Sequence, residues 1–261
     1  MRKIFLIIIL ILSSLLFPIK AMAIDNTKSN ECMLLFNLPD KGVMQGMTFF
    51  DGYFYCSFDL SNGNGKIVKY DSVGSKISET KPMAIGHCAE ISYRASTNKI
   101  YICNGGGNNP THVYVVDYNS SKIQTDLNYA RLGHSALLAI DNVHNFLILH
   151  TTLSGDTGNP KFTIINLANM STVASFNIVS QGIPQGLETD GKNIYLYTNN
   201  KITIIDYNGT IISSYSINKT GESEGLTIAF ENGTSFLAMG YNSPNRIYAL
   251  KSNKKKKPSS F

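Results

Sequence analysis

Five stretches of this chain share one plan, and their spacing constrains the fold more than any other feature. Each begins with a short polar opening that runs into an apolar strand: "VMQGMTFF", "HCAEISY", "HSALLAI", "IPQGLETD" and "ESEGLTIA". Met47, Ile91, Leu138, Leu187 and Leu226 hold the same place in each, 39 to 49 residues apart. A second strand follows in every case ("YFYCSF", "KIYIC", "FLILHT", "NIYLYT", "SFLAMG"), then a third ("KIVKYD", "HVYVVDY", "FTIINL", "KITIIDY", "RIYAL"). Turn pairs such as Asp51-Gly52, Asp190-Gly191, Asn208-Gly209 and Asn232-Gly233 separate them, because these residues tolerate positive φ in tight hairpins. Fourth strands follow in four repeats, around "SKISET", "KIQTDL", "TVASFNI" and "TIISSYSI".

Four short strands recurring every 40 to 50 residues are the signature of propeller blades. The fifth repeat reaches Lys251 without a fourth strand, whereas "CMLLFNLP" from Cys32 to Pro39 is a strand without a blade. Pairing the two closes the ring and removes its open edge. The expectation is an all-β, five-bladed β-propeller of four-stranded antiparallel blades, its N-terminal strand completing the last blade. A sandwich of similar strands is the rival arrangement.

Outside this body, "MRKIFLIIILILSSLLFPIKAMA" has a basic start, an apolar core from Ile4 to Phe17 and the cleavage signal Ala21-Met22-Ala23, and so reads as a signal peptide over 1–23. Its apolar run is shorter than the roughly 20 residues that cross a bilayer. The domain plan is a leader at 1–23, one propeller at 24–251 and a solvated basic tail at 252–261, in a secreted protein, extracellular or periplasmic, with no transmembrane segment after cleavage. The formal charge of +5 sits in the ends: Arg2, Lys3 and Lys20 lie in the leader, and Lys251 with Lys254, Lys255, Lys256 and Lys257 in or beside the tail. The folded body is mildly acidic, which argues against a nucleic-acid surface. Cys32, Cys56, Cys88 and Cys103 match no zinc or redox spacing, leaving buried thiols or one disulfide as equal alternatives.

The stretch "GHCAEISYRASTNKIYIC" packs His87, Cys88 and Glu90 together in sequence. In a propeller, however, the first strand of each blade lines the central channel, and alternate residues share a face. Counting back four from each anchor gives Val43, His87, His134, Ile183 and Glu222; counting back two gives Gln45, Ala89, Ala136, Gln185 and Glu224. Both sets are expected at one channel mouth, with Cys88 turned toward a neighbouring blade. The candidate ligand-binding residues are therefore Gln45, His87, His134, Gln185, Glu222 and Glu224. His87, His134 and Glu222 form a candidate set for a divalent metal in the central channel, and Glu224 a nearby base for hydrolysis or a lyase step. Polar lining of a watery channel is the plainer alternative. The loops "CNGGGNNPTH" and "TTLSGDTGNPK" lack the helix and pattern of a phosphate cradle and read as long hairpin loops that can carry ligand-reading residues.

"QGMTFFDGYFYCSF", "GHCAEISYRASTNKIYICNGG" with "VYVVD", and "GESEGLTI" resemble secreted bacterial propellers of the teichoic-acid-biosynthesis-C and helveticin-J-like type. The resemblance implies a role in binding the cell envelope or a receptor polymer; with a rigid ring and large variable loops, the expectation is a monomeric binding module for a carbohydrate, a cell-wall polymer or another surface ligand, with a cell-envelope glycan as partner. A more distant similarity to NHL and streptogramin-lyase-like propellers, which include enzymes using channel-side His and Glu, implies the catalytic alternative.

Overall fold

The computed structural model describes residues 32–250 of the 261-residue chain. The leader with its cleavage signal and the basic tail lie outside the described residues. Twenty strands form five four-stranded antiparallel sheets. Blade 1 is β2 (Val43–Phe50), β3 (Tyr53–Asp59), β4 (Gly65–Tyr70) and β5 (Lys76–Glu79). Blade 2 is β6 (Glu90–Arg94), β7 (Lys99–Cys103), β8 (His112–Asp117) and β9 (Lys122–Asn128). Blade 3 is β10 (His134–Asp141), β11 (Phe146–Thr152), β12 (Lys161–Asn166) and β13 (Thr172–Asn177). Blade 4 is β14 (Pro184–Thr189), β15 (Asn193–Thr198), β16 (Lys201–Asp206) and β17 (Ile211–Ser216). Blade 5 takes β18 (Glu222–Glu231), β19 (Thr234–Asn242) and β20 (Arg246–Leu250) from the C-terminal end and β1 (Cys32–Asn37) from the N-terminal end.

The expected closure is present: Cys32 pairs with Leu250 and Asn37 with Arg246. Asn245, in the β19–β20 turn, ties the joint further. Its Oδ1 accepts the Met44 N–H at 3.2 Å, and its Nδ2 donates to the carbonyls of Asp40 at 3.2 Å and Gly42 at 2.9 Å. One side chain thus holds the chain as it leaves blade 5 for blade 1.

Strand alternation puts apolar residues on both faces of the inner three strands of each blade, and each face meets the adjoining blade. The result is five apolar clusters, one per junction. Tyr55, Ile67, Ile91 and Ile100 join blades 1 and 2, and Cys103, Val113, Leu138 and Leu149 join blades 2 and 3. Ile148, Phe162, Leu187 and Leu196 join blades 3 and 4; Tyr197, Ile202, Leu226 and Met239 join blades 4 and 5; Met47, Phe54, Ala229 and Ala238 join blades 5 and 1. All five anchors are buried in this way. The outermost strands, β5 and β9 among them, are exposed nearly throughout and carry the polar residues. Cys56, Cys88 and Cys103 are buried, Cys32 is half-buried, and all four are free thiols. No described helix is long and apolar enough to cross a membrane.

Candidate functional site at the channel mouth

Inner strands of a propeller have one edge facing the channel, so their N–H groups need partners that a neighbouring strand does not supply. Channel side chains provide them. Glu90, at the start of β6, is buried and accepts three backbone N–H groups: Met47 of blade 1 at 3.0 Å, Ile91 of blade 2 at 3.1 Å and Leu187 of blade 4 at 2.9 Å. A single carboxyl therefore spans the channel. Burial pushes it well above the ordinary carboxyl range, against the pull of the three amides. Farther along, Glu188 accepts from Thr189 N–H and from the Thr227 hydroxyl, which itself accepts the Phe49 N–H. Desolvation lifts Glu188 to about 7.

The channel is narrow because the inner strands nearly touch. A Cβ on Gly46 would lie 2.6 Å from the Glu90 Cα. On Gly225, whose φ is +73°, it would lie 2.9 Å from the Met47 nitrogen. Only glycine serves where the backbones approach this closely in a left-handed conformation.

Outward of Glu90, where the inner strands begin, lies a cavity of about 280 Å³. It is lined by residues of all five blades, including Gln45, His87, Ser135, Asp156, Gln185, Glu222 and Glu224. The aiming device is a β-bulge repeated on four inner strands. Gln45 is passed over between the paired residues Met44 and Gly46, and Gln185 between Pro184 and Gly186. In blade 3, Ser135 and Ala136 fall in the break between His134 and Leu137; in blade 5, Glu224 and Gly225 fall between Ser223 and Leu226. A bulge bends its strand and frees a residue from the ladder, re-aiming the side chain. Blade 2 reaches the cavity by another route: Gly86 (φ 66°) and Cys88 (φ 48°) keep His87 and Ala89 in an irregular segment before β6.

Of the ten positions obtained by counting back from the anchors, nine line the cavity and His134 does not. His134 pairs with Thr152 and forms a bridge with Pro110, while Ser135 (φ 51°) turns the chain so that Ser135, Ala136 and Leu137 build this wall. The Nδ1 of His134 is buried without a hydrogen-bond partner. Consequently His87, His134 and Glu222 are not gathered as a ligand set. Among the described residues no group of three or more His, Cys, Asp or Glu side chains is arranged to hold a metal ion. The metal expectation thus finds no matching donor geometry: the blade 3 strand bulges as those of blades 1, 4 and 5 do, but the left-handed Ser135 and the bridge to Pro110 draw His134 off the cavity.

His87 is instead held by Asp59 at the end of β3, Nδ1 to Oδ2 at 2.8 Å. An imidazole that donates Nδ1–H to a carboxylate keeps Nε2 as its free acceptor. Asp156, from the third-repeat loop, accepts the Gly107 N–H at 3.0 Å and the Ser135 hydroxyl. Asn242 Nδ2 donates to both Glu222 (2.8 Å) and Glu224 (2.9 Å), so the two carboxyls sit side by side. Burial, reinforced by the Glu222 charge, lifts Glu224 to about 9, so it is a neutral hydrogen-bond donor at pH 7. Gln45 is only 4% exposed, lines the cavity, and makes no side-chain hydrogen bond to any described residue. Asp59, Ser135 and Asp156 were not singled out from the sequence, since each depends on a loop or bulge position that repeat phase does not reveal.

No protein-family model matches the sequence, and no curated protein matches it significantly. Solved structures do. A hydrazine synthase of Kuenenia stuttgartiensis superposes with a TM-score of 0.52 at 15% identity over 81% of this chain, which spans 65% of that one. A luciferin-regenerating enzyme gives 0.51 at 11% identity, with 83% and 80% of the two chains covered. A nidogen/laminin complex gives 0.50 at 14% identity, with 80% and 76% covered. At such identities the likeness concerns fold alone, and with the sheet order it makes the chain a five-bladed β-propeller.

Proposed function

We propose that this propeller is a secreted binding module whose channel-mouth pocket takes one polyhydroxylated unit, a sugar of a cell-wall or other surface polymer. The observation that carries the reading is the convergence of Gln45, Gln185 and Glu224, placed by bulges in three blades, on one small cavity. Amides and a neutral carboxyl both donate and accept, which suits hydroxyl groups. The volume lies just below the usual small-molecule range, so a single unit fits better than an extended chain. The sequence resemblance to envelope-associated propellers supports the same class of partner.

The test is retention of the full-length chain on glycan arrays and on whole bacterial cells, with the Gln45→Ala/Gln185→Ala variant alongside. Retention lost in the variant supports the reading. No retention on any glycan or cell, or retention indifferent to both substitutions, overturns it. A catalytic role is favoured by one observation, the Asp59–His87 hydrogen bond beside the neutral Glu224, a base and an acid on one cavity. Its sign would be product release from a bound glycan that is lost in His87→Gln.

A further inference from the structure

The charges around this pocket do not balance. Among the described residues its lining includes Glu222, Glu224 and Asp156 but no lysine or arginine. The one basic lining residue, His87, already spends Nδ1 on Asp59. Apart from that His87–Asp59 pair, the ion pairs among the described residues lie elsewhere, on Asp40, Glu79, Asp117, Asp126 and Asp141. Glu222 and Glu224 receive only the neutral amide of Asn242, while Asp156 receives a backbone N–H and a hydroxyl.

Glu222 and Glu224 share one amide donor, and a cation set against the pair favours the ionised form of the otherwise neutral Glu224, a gain that a neutral ligand does not bring. An anionic ligand meets repulsion there. Because no three ligating side chains among the described residues converge, a bound metal ion is not the natural counter-charge either. An ammonium group, with three donors, matches paired carboxyls. The buried Gln45, whose side chain bonds no described residue, and the Gln185 amide remain for the ligand's hydroxyls.

We propose that the unit recognised here is an amino sugar with a free, protonated primary amine, its ammonium group against Glu222 and Glu224 and its hydroxyls on Gln45 and Gln185. The proposal rests on the pocket being a sugar site and sharpens which sugar it takes. It predicts that N-acylation, which removes the charge, or phosphorylation, which adds the opposite one, abolishes recognition.

Isothermal titration of the full-length chain at pH 6.5 with glucosamine, N-acetylglucosamine, glucose, glucose 6-phosphate and a short lysine peptide separates the outcomes. Glucosamine is expected to bind at least tenfold more tightly than glucose, and the acetylated and phosphorylated sugars more weakly still. Glu222→Gln should remove that margin by weakening glucosamine at least tenfold, to the level of glucose measured on the same variant. Glu222 is exposed at the start of β18, so this variant retains the fold, which circular dichroism verifies. Equal binding of glucose and glucosamine, or a preference for the phosphorylated sugar, overturns the amine while leaving a sugar site. Binding of the lysine peptide as tightly as glucosamine overturns the sugar part of the proposal. No binding of any probe overturns the amine proposal, and combined with no retention on cells it also removes the sugar site.

Discussion

Replacing Glu90 isolates the part played by the carboxyl that ties blades 1, 2 and 4. Its two oxygens divide the work: Oε1 accepts Met47 and Ile91 N–H, and Oε2 accepts Leu187 N–H. In Glu90→Gln the amide keeps the shape. Its oxygen serves two donors, while its NH₂ faces the third, leaving one buried N–H unpaired. An orphaned buried donor costs about 1–3 kcal/mol. For a domain of this size, that lowers Tm by roughly 2–12 °C. Glu90→Ala strands three donors and opens a void at the channel centre, so its cost is roughly three times larger. Thermal unfolding followed by circular dichroism, wild type against both variants, measures this.

The pH dependence adds a sign. Glu90 titrates well above its unfolded value, so the folded state holds its proton longer than the unfolded state. That contribution is full below the unfolded carboxyl pKa and is lost as pH rises toward the folded one. The deficit of Glu90→Gln, which has no proton to lose, should shrink as pH rises from about 4 upward. Equal losses for Gln and Ala would refute the reasoning, because the role would then be charge and not hydrogen-bond acceptance. A wild-type Tm in Glu90→Ala would refute it as well.

Glu224, lifted to about 9, contributes stability that is present below about 4.5 and lost through pH 9; Glu224→Gln should flatten the fall of Tm between those limits, and a parallel curve would count against it. His150 is buried with both ring nitrogens unpartnered and held down to about 4. Wild type should therefore lose stability below about pH 6.5, and His150→Leu should remove that loss and gain about 1 kcal/mol at pH 7 in urea unfolding. Asn245→Ala removes three hydrogen bonds at the blade 5 to blade 1 joint and should cost about 2 kcal/mol, read as a lower urea midpoint. Gly225→Ala places a Cβ against the Met47 nitrogen at φ +73°, with an expected cost of about 2 kcal/mol or more; an unchanged Tm would show that the channel backbone gives way.

Much of the molecule was legible from repeat grammar. An apolar anchor every 39 to 49 residues, alternating strands and Asn-Gly or Asp-Gly turns are local properties, and blade count and closure follow from them by arithmetic. Cys88 was correctly separated from His87, because phase alone sends it into the blade 1–2 cluster. The same phase brought Gln45, Gln185, Glu222 and Glu224 to one mouth.

Where local order breaks, sequence phase no longer decides. His134 was placed with His87 because alternation does not reveal that Ser135 turns left-handed and that Pro110, from a loop of blade 2, bridges to His134. Glu90 read as a neighbour of His87; its bonds to residues 43 and 97 positions away exist only because ring closure brings three inner strands within reach of one carboxyl. Asp59 and Asp156 join the site in the same way, from the end of a second strand and from a loop. The sequence by itself determined the number of blades, the joining strand and the apolar face of each strand, since these depend on spacing and alternation. Tertiary structure decided which polar groups meet, since bulges and ring closure are set by contacts between blades that no single repeat contains.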